Sequence, residues 1–200
     1  MTVDKNARHA SRMARKKAVI DSAIEQANQE KGLLLVLTGN GKGKSSSAFG
    51  MAARALGYGM KVGVAQFIKG RSDTGEEAFF SALPNVEWHV LGEGFTWDTQ
   101  DLERDIHTAK AGWEIAKKML QNPEVNLVIL DELTYTLNYG YLETSEILAD
   151  IAARPPMQHV VVTGRAAPQV LIDLADTVSE ITDVKHAYRA GVKAQPGIDL

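Results

Sequence analysis

The chain has 200 residues, 44% hydrophobic and 24% charged, which suits one globular core with a terminal arm and excludes a largely disordered chain. A formal net charge of −3 gives no global signature of nucleic-acid binding, and the absence of cysteine excludes disulfide scaffolds, zinc ribbons, iron–sulfur clusters and thiol nucleophiles. Five histidines without ligand spacing argue against a protein-ligated transition-metal site, and no run approaches the ~18 apolar residues of a membrane span.

The first residues, MTVDKNARHASRMARKKAVI, are polar and basic and lack the apolar segment of a secretory signal. Asp4, Asp21, Glu25 and Glu30 count against an organellar transit peptide, so a cytoplasmic protein is expected. Asp4 to Glu30 reads as one helix, rich in Ala, Arg, Lys, Glu and Gln and free of Gly and Pro. Met13, Ile20, Ile24 and Ala27, at spacings of seven, four and three, form a single thin apolar stripe. Residues 1–31 are therefore set apart as a helical arm, serving as a lid or a dimer contact. Arg12, Arg15, Lys16 and Lys17 in it read as a solvated basic face.

From Gly32 onward short apolar runs alternate with helical stretches. Leu33–Leu37, Val62–Phe67, Val125–Leu130 and His159–Thr163 have the length and composition of strands buried on both faces, with Val86–Leu91 and Thr177–Thr182 as weaker candidates. Ser46–Leu56, Asp101–Leu120, Ser145–Ala153 and Pro168–Ala175 are helical in composition. The alternation predicts one α/β domain over residues 32–200, three layers around a mostly parallel sheet of about six strands. The Ala187–Leu200 tail reads as irregular.

The strongest motif is the stretch from Leu33 to Ser46, LLLVLTGNGKGKSS, in which a strand runs into a glycine-rich turn and a helix starts near Lys44. Gly39, Gly41 and Gly43 permit positive φ and let backbone N–H groups converge on one anion, and the helix N-terminus adds partial positive charge. Lys44 is placed to reach distal phosphates and Ser45 to ligate magnesium. Thr38 stands where the common G-x-x-x-x-G-K-[ST] pattern has its first glycine, and Lys42 adds a second cation, so the loop is a variant. The partner signal is the apolar run Asn126–Leu130 followed by Asp131 and Glu132, in which an acid at the strand end holds the magnesium. Adjacent side chains on a strand face opposite ways, so one of the two acids enters the site. Together these features point to a nucleoside triphosphate on a P-loop, RecA-like fold.

Thr38–Ser45 (TGNGKGKS), Lys61–Gly70 (KVGVAQFIKG), Gly94–Gln100 (GFTWDTQ), Leu130–Tyr135 (LDELTY), Thr163–Arg165 (TGR), Val184–Ala187 (VKHA) and Gly191–Asp199 (GVKAQPGID) stand in an order that resembles the ATP:corrinoid adenosyltransferases of the CobA/BtuR type. Ser45-Ser46 departs from the family's usual threonines but keeps the hydroxyls. The resemblance implies transfer of the 5′-deoxyadenosyl group of ATP to the Co(I) of a reduced corrinoid with release of triphosphate, the nucleotide lying reversed relative to ordinary P-loop enzymes. It implies ATP contacts at Thr38, Gly39, Asn40, Gly41, Lys42, Gly43, Lys44, Ser45, Ser46 and Arg165. Magnesium falls to Ser45 and Glu132, with Asp131 as the alternative acid. Lys44 is the catalytic cation, and Phe95 and Trp97 bind the corrinoid by displacing its lower axial ligand. Gln66, Lys69 and Asp98 face the site without an assigned role. The resemblance further implies a homodimer whose N-terminal helix covers the corrinoid, and the reduction step calls for a reduced flavoprotein donor; neither a nucleic acid nor a membrane is an expected partner. Cobalt ligation by His89, His107, His159 or His186 is the contrary reading. The competing functions are a kinase or ATPase on the same core, which would yield ADP, and a nucleotide-dependent interaction module using the basic arm.

Overall fold

A computed structural model describes residues 2–68, 74–92 and 101–199. It divides into two compact units, Met1–Lys31 and Gly32–Leu200. The first is a single helix, α1 (Thr2–Gln26), which carries a Lys17–Asp21 ion pair at 3.1 Å one turn apart. It ends four residues before the expected Glu30, just ahead of Asn28, whose short amide competes with the helical backbone.

In the second unit the described elements follow in chain order. They are β1 (Leu34–Thr38), α2 (Lys44–Gly57), β2 (Val62–Gln66), α3 (Gly75–Phe80), β3 (Val86–Val90), α4 (Leu102–Gln121), β4 (Leu127–Asp131), α5 (Leu133–Asn138), α6 (Thr144–Ala152), β5 (His159–Thr163), α7 (Gln169–Leu174) and β6 (Thr177–Glu180). A 3₁₀ turn at Ala187–Ala190 interrupts the tail expected to be irregular. The six strands form one sheet in the order β3-β2-β4-β5-β1-β6, and every pairing is parallel. Both weaker strand candidates are real, and they are the two edges, where one-sided pairing explains their mixed composition. No helix among the described residues is long and apolar enough to cross a membrane.

Alternation along the strands builds a core on each face. Val62, Val64, Leu127, Ile129 and Val161 pack toward α2 with Phe49 and Ala52, whereas Ala65, Val128, Leu130, Val160 and Val162 pack toward α4 and α6 with Trp113, Met119 and Ile151. Each buried Val, Leu or Ile among these contributes about 1.5–3 kcal/mol by burial. Gly63 has a packing reason: a Cβ there would lie 2.7 Å from Met119 Sδ, so its absence lets α4 approach the sheet. Parallel strands bring the C-terminal ends of β1, β2, β4 and β5 to one edge of the sheet, where α/β folds of this kind bind ligands.

Candidate active site

Between β1 and α2 the chain turns through Gly39–Gly43, and the glycines have different reasons. Gly39 and Gly43 have φ of +97° and +122°, conformations that favour glycine. Gly41 does not share the expected positive φ; a Cβ there would sit 2.7 Å from the carbonyl oxygens of both Ile181 and Thr182. Its N–H donates to Ile181 O at 2.7 Å, so this amide is spent on the strand-end segment after β6 rather than offered to an anion. Gly43 occupies the N-cap of α2 without a side-chain cap, and no atom lies within 4 Å of where its Cβ would be. The first turn of α2 therefore presents uncapped N–H groups and the positive end of its dipole.

Lys44 is 8% exposed and its Nζ donates to Gly41 O at 2.8 Å, which turns the ammonium back over the loop. Burial lowers its pKa, the Glu132 carboxylate opposes that shift, and Arg165 adds to it. Lys42 is more exposed and pairs with Asp199 at 2.9 Å. Ser45 and Ser46 follow in the first turn of α2 and line the same cleft as Asn40, Glu76, Glu132 and Arg165, a space of about 210 Å³.

The two acids are separated by the fold. Asp131 is fully buried; its Oδ2 accepts from Gln66 Nε2 at 3.0 Å and its Oδ1 from Thr163 Oγ1 at 2.7 Å. Glu132, with φ 60° and ψ 22° at the N-cap of α5, turns off the strand and lines the cleft. Its charge, after burial, raises the pKa of the neighbouring Tyr135 phenol. Among the described residues no group of three or more His, Asp or Glu side chains is placed to hold a metal. The donors that do face the cleft, the Ser45 hydroxyl and the Glu132 carboxylate, are hard oxygens. They fit Mg²⁺, which binds through one or two protein oxygens and completes its shell with phosphate oxygens and water.

Arg165 is exposed but its turn is fixed. Thr134 Oγ1 donates to Arg165 O at 2.8 Å, and Asn138 Nδ2 donates to Arg165 O at 3.3 Å and Ala166 O at 3.1 Å. A Cβ at Gly164 would collide with Thr134 Oγ1, so glycine there lets α5 press against this turn. On its other side Ala167 N donates to Thr38 Oγ1 at 3.1 Å. Thr38 is thus buried as a tie between loops.

One cleft gathers the loop residues from Asn40 to Ser46 with Glu132 and Arg165, whereas Thr38 and Gly39, also expected at the nucleotide, do not line it. Phe95 and Trp97, with Gly94, Thr96 and Asp98, and Lys69, lie outside the described residues. Of the histidines, His159 starts β5 at the opposite edge of the sheet and accepts from Leu33 N, while His89 pairs with Glu87 at 2.8 Å. His186 reaches the cleft, where its Nδ1 accepts from Tyr188 N. A larger hollow of about 680 Å³ lies between α4 and the turn before α6, lined by His107, Lys110, Trp113 and Tyr141 among others, and holds no phosphate-loop residue. Sequence reasoning missed three groups: Thr163 as the partner of both strand-end residues, Gln66 as the partner of Asp131, and Asp199 as the partner of Lys42. The blocks KVGVAQFIKG, TGR and GVKAQPGID contain all three, but only the tertiary structure reveals what they touch.

Comparison with known proteins gives the family of the chain. The profile of the family described as ATP:corrinoid adenosyltransferase BtuR/CobO/CobP matches residues 30–200, and a profile described as Cob(I)alamin adenosyltransferase N terminal matches residues 1–24. A corrinoid adenosyltransferase of Pseudomonas aeruginosa is 62% identical over 198 residues, covering 98% of both chains. The corrinoid adenosyltransferase CobA of Salmonella typhimurium is 48% identical over 96% of this chain and 97% of its own, and that of Escherichia coli K12 is 47% identical over the same shares.

Proposed function

The chain belongs to the family of ATP:corrinoid adenosyltransferases, and on that premise we propose that the cleft at the end of β1 takes the triphosphate of ATP. The activity is transfer of an adenosyl group from ATP to a corrinoid, as in adenosylcobalamin synthesis. The Co(I) of the reduced corrinoid substrate gives an electron pair to C5′ of ATP. A Co–C bond forms as the C5′–O bond breaks, and the bonding pair leaves on triphosphate. No protein base is needed.

The task left to this chain is to stabilise negative charge on the departing triphosphate. Lys44, Lys42, Arg165 and the uncapped amides at the start of α2 supply preorganised donors for it. Ser45 and Glu132 would hold Mg²⁺, which when bound adds positive charge beside the triphosphate oxygens. Phe95 and Trp97 are assigned, from the family resemblance, to the lower axial face of the corrinoid, where apolar bulk in place of a ligand eases reduction of Co(II). We further propose a cytoplasmic homodimer in which α1 covers the corrinoid, supplied with electrons by a reduced flavoprotein; the chain, without cysteine, has no thiol couple of its own.

The observation that carries the reading is Lys44, a nearly buried cation folded over a glycine loop, with the Glu132 carboxylate from the end of β4 close enough to act on its charge. An anaerobic assay with ATP, magnesium and chemically reduced cobalamin tests it. Stoichiometric triphosphate and a light-sensitive Co–C bond are expected. ADP or orthophosphate with an unaltered corrinoid would overturn it.

A further inference from the structure

The acid that faces the phosphate loop sits in a backbone conformation it would not adopt alone. Glu132 and Ala166 are the two non-glycine residues with positive φ among the described residues. A left-handed glutamate persists only where its surroundings over-determine it. What surrounds Glu132 is a directed chain of hydrogen bonds running between the ends of three strands. Its N–H donates to Thr163 Oγ1 at 2.9 Å. The Thr163 hydroxyl has one hydrogen, and that hydrogen goes to Asp131 Oδ1 at 2.7 Å, leaving a lone pair for the Glu132 N–H. Gln66 Nε2, from the neighbouring strand, holds the other Asp131 oxygen at 3.0 Å. Thr163 and Asp131 are fully buried and Gln66 is 1% exposed, so water does not compete for these bonds.

We propose that Thr163 is a positioning residue for the magnesium acid: it couples the buried Asp131 to the Glu132 backbone and so aims the Glu132 carboxylate at Lys44 and Ser45. Asp131 then acts through Thr163 and not as a ligand. The two adjacent acids, which strand alternation alone does not rank, divide into an anchor and a working group. This inference rests on the reading that Glu132 holds Mg²⁺ beside the triphosphate.

The test compares ATP binding by calorimetry with magnesium and with a chelator, for the full chain and for Thr163→Val, Thr163→Ser and Glu132→Gln. The parent gains affinity from magnesium and Glu132→Gln loses that gain. Thr163→Val should lose about tenfold of the magnesium-dependent part, as removal of an outer-shell partner typically does, with chelator-phase affinity unchanged. Thr163→Ser should restore it, because the hydroxyl is kept. The Glu132 amide should exchange hydrogen faster in Thr163→Val than in the parent. If Thr163→Val does not fold, Thr163→Ala removes the same two bonds without a methyl against Asp131. Full magnesium dependence in Thr163→Val or Thr163→Ala, with Glu132→Gln defective, overturns the positioning role alone. Equal loss with and without magnesium also overturns it, since that is general damage. A parent without any magnesium gain overturns the underlying assignment of Glu132 as well.

Discussion

Thr38 Oγ1 accepts the backbone N–H of Ala167 at 3.1 Å, joining positions 129 residues apart. The residue that breaks the common loop pattern is therefore a fastener between the phosphate loop and the turn that carries Arg165.

Thr38→Val keeps the shape but removes the acceptor and leaves the Ala167 N–H without it. A lost hydrogen bond of this kind costs about 0.5–1.5 kcal/mol, or roughly 2- to 10-fold in affinity if it is expressed in binding. ATP titration should show that loss, and Thr38→Ser should bind as the parent does. Unchanged affinity in Thr38→Val would mean that the Arg165 turn is held well enough by Thr134 and Asn138.

Lys44→Ala should lower kcat by about 10²–10³-fold, the cost of about 2.7–4 kcal/mol that follows removal of one preorganised donor to developing charge. Lys44→Arg should not rescue it. The ammonium is enclosed beside Gly41 O, and a planar guanidinium does not fit the same space. Single-turnover triphosphate release, with circular dichroism to confirm folding, decides between lost chemistry and lost fold.

Gly41 and Gly50 lie nine residues apart and should answer alanine in opposite directions. Gly41→Ala drives a Cβ against the carbonyl oxygens of Ile181 and Thr182, and overpacking of this kind costs about 1–3 kcal/mol. Gly50, in the middle of α2, has open space where its Cβ would be, so Gly50→Ala should stabilise by about 0.5–1 kcal/mol. Urea unfolding of the pair checks both signs. Equal effects would show that the loop relaxes away from residues 181 and 182.

Asp150 gives a pH dependence away from the cleft. Burial pushes its pKa up, but hydrogen bonds from Lys117 and Trp113 outweigh that and leave it below the ordinary 3.8. The folded state thus binds this proton less readily than the unfolded state does. The stabilisation is fully present above 3.8 and is lost as pH falls through the lower folded value. Asp150→Asn should flatten the acid side of the stability profile, and the Trp113 indole N–H resonance of the parent should shift over the same range. A parallel decline in both proteins would place the acid sensitivity elsewhere.

How much of this was legible in the sequence depends on how local each signal is. The strands beginning at Leu34, Val62, Leu127 and His159 were readable because burial on both faces forces near-continuous apolar runs. The glycine–lysine spacing of the loop was readable because backbone turn, dipole and cation all lie within one short stretch. The short helices α3 and α5 were not read, whereas α7, of the same length, was, because at one or two turns periodicity is weak and local composition decides. Alternation along the strand says that Asp131 and Glu132 diverge and not which of them meets Lys44, so the preference for Glu132 rests on the family resemblance alone.

By itself, then, the sequence determined the α/β layering, the phosphate loop with its acid pair, and the family, all of which depend on residue type and near spacing. Tertiary structure alone decided that Gly41 is a site of close approach, that Thr38 fastens Ala167, that Asp131 is buried while Glu132 faces the cleft, and that Asp199 answers Lys42. The physical reason is strand order. Placing β5 between β4 and β1 brings the end of β5 and the turn after it to the ends of both neighbours, and no local pattern encodes which strand lies next to which.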